Sequence, residues 1–395
     1  MAPSCVPGRV LPGEAHADMP DLAHLVIMEL RGPGRYPRDR GGRTAALDGG
    51  RTGAGPGRRQ ESVAGERQPG TAGHQDKKGD DAMELFPPLP LAEWRDTKET
   101  LHRFEQLIGK IRLTSSTRRN HWWNVPFHLT GRGITTRPMG QSDGNPVFTI
   151  DFDFVDHQLV VSTLDGTAVS FPLLGQSVSS FRHSTLETLS DLGIEADIPH
   201  PEPFDLPDSS RPFSQDTEHA AYDPEYATRY WQVLSQVALV LEEFAADFSG
   251  KCSAVHHFWH TFDIAHTRFS GRQVEQSPQT DPVTREAYSR EVTSFGFWFG
   301  DDTFPEPAFY AYAAPEPVGL SAEPLSPTAA RWNEQNGSHL ALLRYEDARA
   351  EPDPRAAVLG FYDSAYRAAA RRAGWDMERL ASPEGITDQQ LVPHG

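Results

Sequence analysis

Cysteine is nearly absent. The 395 residues hold two, Cys5 and Cys252, so no disulfide framework can form and a reducing cytoplasm is the expected compartment. No run approaches the ~18 consecutive apolar residues that a membrane helix requires, and a soluble protein without membrane association is expected. Positive charge is also in deficit: 37 Lys and Arg stand against 55 Asp and Glu, a formal net charge of −18. An acidic surface repels nucleic acid and anionic lipid, so neither is expected as a partner. A Walker loop, a dinucleotide glycine fingerprint, a nucleophile elbow and a Cys-x-x-Cys pair are all missing beyond residue 82, which excludes only the enzyme classes most easily read.

What is present is unevenly spread. The first 80 residues hold 15 of the 33 glycines and 8 of the 33 prolines without helical or strand periodicity, too little apolar content to offset chain entropy. Residues 1–82 are therefore expected to be a disordered extension, or a spurious one ahead of a true start at Met83. Its apolar patch, Leu22 to Leu30, lacks the leader and cleavage pattern of a signal peptide.

Beyond Met83, helical spacing of Trp94, Thr97, Leu101, Phe104 and Ile108 predicts an amphipathic helix from Leu91 to Ile108. Short β-prone segments broken by turn residues predict hairpins from Ile111 to Phe171, and Val178 to Leu192 reads as a second helix stopped by Gly193. Five prolines between Pro199 and Pro212 mark a linker. Asp223 and Pro224 open a third helix striped by Tyr226, Tyr230, Val233, Val237, Leu241, Phe244 and Phe248, and Asp353 and Pro354 open a last one ending at Gly374. Strands are expected at about 255–269, 291–299, 307–314 and 340–343. The fold class is α+β, antiparallel sheet with helices packed on one face, arranged as two helix–strands–helix halves (83–198 and 223–380) around a linker (199–222), with a flexible tail (381–395). One continuous sheet shared by both halves fits the same order of elements.

The densest chemistry lies in Lys251 to Arg272. Cys252, His256 and His260 share a spacing of four, which on a helix would offer a metal three ligands. The residue types favour a strand, however, where His256, Phe258, His260, Phe262, Ile264, His266 and Arg268 would share one face, and polar residues lining a half-buried sheet are the plainer reading. Asp151 and Asp153 alternate with Phe152 and Phe154, so the two carboxylates point away from the core together. Asn120 to Asn124, with Trp122 and Trp123 adjacent, reads as a strand with one tryptophan in the core and the other free to wall a pocket.

These segments resemble the DUF5996 family, bacterial proteins without assigned activity. The resemblance runs from Leu89 to about Leu380 and rests on Leu89 to Trp94, Asn120 to Trp123, Asp151 to Phe154 with Asp156-His157, Gly250 to Ser253, Phe258-Trp259 with Phe262-Asp263, Thr267 to Arg272 and Arg285 to Ser289. It implies no mechanism and no cofactor. It implies that His256 and Asp263 belong to the family pattern and that His257, His260 and His266 do not, which weakens a Cys-His-His metal site.

The functional expectation is a small-molecule-binding protein or enzyme whose pocket lies against the sheet. His256 is the acid or base, oriented by Asp263 or Asp151, with Asp153 as a further carboxylate; Arg268 or Arg272 holds an anionic group, and His121, Trp122 and Tyr288 complete the lining. The rival is a noncatalytic interaction module in which the same residues form internal polar networks. The cofactor, any metal, the ligand and the oligomeric state are left unknown at this level.

Overall fold

Apolar residues on the faces of two antiparallel sheets demand a covering layer, and the helices supply it. The computed structural model describes residues 84–140, 144–198, 200–302, 304–335, 337–388 and 390–391; the expectations for residues 1–82 fall outside them. Seven helices are described: α1 (Leu91–Ser115), α2 (Val178–Asp191), α3 (Pro224–Ala246), α4 (Pro282–Ala287), α5 (Tyr345–Arg349), α6 (Pro354–Arg372) and α7 (Met377–Leu380). The first sheet is a meander of β1 (His128–Leu129), β2 (Gly133–Thr135), β3 (Phe148–Asp153), β4 (Gln158–Thr163) and β5 (Ala168–Pro172). The second joins β6 (His256–Phe258), β7 (Asp263–Gln273), β8 (Arg290–Trp298), β9 (Ala308–Ala314), β10 (Arg331–Gln335) and β11 (Ser338–Arg344) in the order β10-β11-β9-β8-β7-β6. The α+β class holds, with two sheets.

The edges of those sheets meet. Phe127, just before β1, exchanges backbone hydrogen bonds with His257 of β6, at 2.8 Å and 3.2 Å. Their side chains face the helices, so the next residues on the outer face, His128 and His256, become neighbours, their ring centroids 5.5 Å apart.

The helix caps follow the sequence. Asp223 accepts from the Glu225 amide at 2.8 Å and Asp353 from the Ala356 amide at 3.0 Å, each ahead of a first-turn proline. One core draws on both sides of the proline-rich stretch, including Phe104, Phe152 and Phe181 before it, Tyr230, Phe295 and Tyr362 after it, and Phe213 next to it.

Three expectations need correction. Between Thr97 and Arg112 helix α1 is buried on nearly every side: Lys98, His102, Arg103, Glu105, Gln106, Lys110 and Arg112 are as buried as its apolar stripe. Arg103, Glu105 and Gln106 read as a wet face because their partners lie 98 to 152 residues away. Arg103 pairs with Asp208 at 2.5 Å, Gln106 accepts from the Phe204 amide at 2.6 Å, and Glu105 meets His257 at 2.7 Å. The Asn120 to Trp122 segment is a 3-10 turn, with His121 at φ 55 and Trp122 at φ 59, and not a strand. The expected strand at 255–269 is a hairpin, which turns between Phe258 and Asp263 with Phe262 at φ 58.

Candidate functional site

The hairpin decides which side chains share a face. His256 pairs with Ala265 and Phe258 with Asp263, so His256, Asp263, Ala265, Thr267 and Phe269 all point to the outer face, away from the helices. His257, Ile264, His266 and Arg268 point to the helix side. A single strand would have aligned His256 with Arg268; the concealed turn, which contains neither Gly nor Pro, aligns it with Asp263 instead.

The outer face carries its own apolar cluster, in which Ala265, Phe269, Trp298, Tyr310, Tyr312, Leu340 and Leu342 are buried and the half-buried Trp123, Phe258, Tyr288 and Phe304 pack against them. Within it runs a row of hydroxyls. Tyr310 donates to Asp263 Oδ2 at 2.5 Å, Thr261 Oγ1 donates to Asp263 Oδ1, Thr267 and Ser294 share a hydrogen bond of 2.9 Å, and Tyr288 and Tyr312 share one of 3.0 Å. Gly296 makes this possible. A Cβ there would lie 2.4 Å from the Tyr310 hydroxyl, so the missing side chain is what lets that ring lean toward Asp263.

Burial raises the pKa of Asp263 against the opposing hydrogen bonds from Thr261 and Tyr310. On the same face, burial together with the charges of Arg137, Arg112 and Arg119 lowers His256 to about 4, and its Nδ1 has no hydrogen-bond partner. A carboxyl held toward its acid form and an imidazole held neutral sit at diagonal positions of adjacent strands, about 7–8 Å apart by strand geometry.

His121 lies at the rim of this face. Its Nδ1–H donates to Ala287 O at 3.2 Å and its Nε2 accepts from Lys251 Nζ at 2.7 Å, an assignment fixed by the only donor–acceptor pattern that satisfies both. Lys251 Nζ lies 5.2 Å from the Trp123 ring centroid and 4.7 Å from that of Phe269. Tyr288 is on this face as well. Trp122 is not: its indole donates to Val283 O at 3.1 Å and Arg118 lies over its ring, so Trp123 is the tryptophan that walls the site.

Other candidates are placed elsewhere. Arg268 is buried on the helix side, donates to Phe244 O and lies 3.7 Å from the Phe244 ring centroid. Arg272 is tied to Glu291 at 2.7 Å and to the Ala373 carbonyl beyond α6. Asp151 and Asp153 face outward from the first sheet. Asp151 is raised by burial against hydrogen bonds from Thr135 and Thr149, whereas Asp153 is lowered because Arg132 and the Asp156 and Val155 amides outweigh its burial. Arg132 holds Asp153 at 2.6 Å, so this carboxylate organises a turn.

The sequence reading missed a second polar centre. Glu105, His257 and Tyr230 meet in the core: His257 Nε2 lies 2.7 Å from Glu105 and 2.9 Å from the Tyr230 hydroxyl, which donates to Glu105 at 2.8 Å. Burial opposes the His257 charge, but Glu105 outweighs it and raises the pKa. Among the described residues, Asp208, Asp216 and His219 form the one group with metal-ligand spacing. Arg103 and Arg211 already neutralise it, at 2.5 Å and 3.5 Å.

No helix among the described residues is long and apolar enough to cross a membrane. Comparison with curated proteins and with solved structures finds no match. One family model does match, over residues 86–382, which span both sheets, the Asp263 face and the buried Glu105 centre. The chain belongs to that family, DUF5996, a family of unknown function.

Proposed function

We propose that the protein binds a small molecule on the outer face of its second sheet, with Asp263 and His256 placed as acid and base. The observation that carries this reading is the opposed tuning of two buried groups on one face, Asp263 raised and His256 lowered with its Nδ1 unpartnered. Groups that merely brace a fold pair with each other, as Glu105 and His257 do; these two do not. Trp123, Tyr310 and Tyr312 supply flat apolar walls, and the hydroxyl row supplies donors that orient a polar ligand. Burial favours the acid form of Asp263, which suits it to give a proton, and the neutral His256 is suited to accept one, which is the division of labour general acid–base chemistry needs.

The noncatalytic reading draws on a different observation: both oxygens of Asp263 already accept hydrogen bonds. Native mass spectrometry of wild type and Asp263→Asn, purified without chelator, separates the two. A small-molecule adduct on the wild type that is lost from the variant supports the binding reading. A bare wild type, or the same adduct on both, favours the internal network.

A further inference from the structure

The seam between the sheets gathers positive charge, with no counterion among the described residues. Arg112, in the last turn of α1, is 5% exposed, and its Nε and Nη1 have no hydrogen-bond partner. His128 of β1 and His256 of β6 lie edge to face there, and His256 is also 5% exposed. Arg137, which follows β2 in the left-handed region at φ 62, and Arg119, ahead of the 3-10 turn, bring two exposed guanidinium groups. Arg112, Arg119 and Arg137 all act on the His256 ring, and Arg112 and Arg137 also act on His128. Among the described residues no carboxylate acts on Arg112, His128 or His256, in a chain that has 55 acidic residues to 37 basic ones.

That arrangement is costly as it stands. A guanidinium taken out of water without a partner loses hydration and regains nothing, and neighbouring like charges add to the loss. Elsewhere this protein pairs its buried arginines: Arg103 meets Glu99 and Asp208, and Arg268 meets a carbonyl and three aromatic rings. Arg112 alone among these three has neither.

We propose that Arg112, Arg137, His128 and His256 form a site for the oxyanion of a small-molecule ligand, a phosphate or a carboxylate group. The fork of a guanidinium matches two oxygens of either anion, and the histidines add N–H donors from the adjoining strands. His256 belongs to both this site and the Asp263 face, so the proposal deepens the binding reading: an acidic headgroup sits at the seam while the body of the ligand lies on the hydroxyl row.

Calorimetric titration of the full chain with inorganic phosphate, and separately with acetate, tests it. The wild type should bind at least one of the two saturably, and whichever binds tighter names the headgroup. Arg112→Gln and Arg137→Gln should each weaken that binding by about tenfold or more, while Arg132→Gln, in the Asp153 turn, should leave it unchanged. In anion-free buffer Arg112→Gln should melt no lower than wild type, because it removes an unpaired charge. Absence of saturable binding by both anions, or wild-type affinity in both Arg112→Gln and Arg137→Gln, overturns the site. Failure here with an Asp263-dependent adduct still seen by mass spectrometry removes the anion site and leaves the binding reading intact.

Discussion

Two neighbouring histidines show how much a residue's role depends on which way it points. His257 faces the helices and is held by Glu105 and Tyr230, whereas His256 faces outward and its Nδ1 is unpaired. His257→Ala should therefore cost about 2–4 kcal/mol, by leaving Glu105 buried with Tyr230 as its remaining partner and no charge to balance it, and His256→Ala less than about 1 kcal/mol. Urea denaturation of the two variants checks this, and equal losses would contradict the assignment of faces. Acid sensitivity belongs to the same scale. His102, His128 and His266 are lowered to about 3 and His256 to about 4, burial being the largest cause in each. A histidine with a depressed folded pKa contributes stability that is complete above its unfolded value of about 6.5 and is lost as the pH falls toward the folded value. Asp151, Asp263 and His257, all raised, work in the opposite direction, but they are three against these four, and His121 and His157 are lowered as well. The melting temperature should fall between pH 6.5 and pH 4, and a flat or rising profile would count against the buried neutral imidazoles.

Among the elements, those marked by local chemistry were legible and those made by distant partners were not. The Asp-Pro starts of α3 and α6 identify those helices from four or five residues, since the cap and the proline act within one turn. The Trp259 to Phe262 turn has no such mark, because its residues favour strands and the bend is imposed by pairing with β8 and by Thr261 bonding to Asp263. Asp263 and His256 were named from the sequence but assigned to one strand with Arg268, and only the turn brings the first two together and sends the third to the core. Helix α1 could not be read as central, since a buried polar face looks like a wet one until Asp208, Asp216 and His257 are in place. Its packing predicts a sharp effect. A Cβ on Gly109 would lie 2.0 Å from the Trp259 ring, which is itself fixed by donation to Val125 O at 2.9 Å, so Gly109→Ala should destabilise by about 2 kcal/mol or more despite its better helix propensity. On α3, Phe244→Asp should abolish soluble expression while Glu243→Ala, in an exposed pair with Arg355, should be nearly silent.

At the scale of the whole molecule, two sheets joined at the Phe127–His257 bridge set His128 of β1 beside His256 of β6, while Tyr310 of β9 reaches Asp263 of β7. The acidic sequence predicted a pocket against the sheet but gave no hint that positive residues meet at this seam, because His256 lies far along the chain from Arg112 and His128. Among the described residues the core begins at Phe86, fully buried, whose amide meets Gln236 at 2.5 Å and whose carbonyl accepts from Arg349 at 2.6 Å. Removing residues 1–82 should therefore leave the melting temperature within about 3 °C of the full chain, and a larger fall would show that those residues contribute to the core. Two ionisations that share one face distinguish a binding site from an internal network. Histidine- and carboxyl-resolved NMR titration of the full chain in anion-free buffer should find His256 neutral down to about pH 4 and Asp263 protonating above the ordinary carboxylate range; ordinary values for both groups would contradict the binding site.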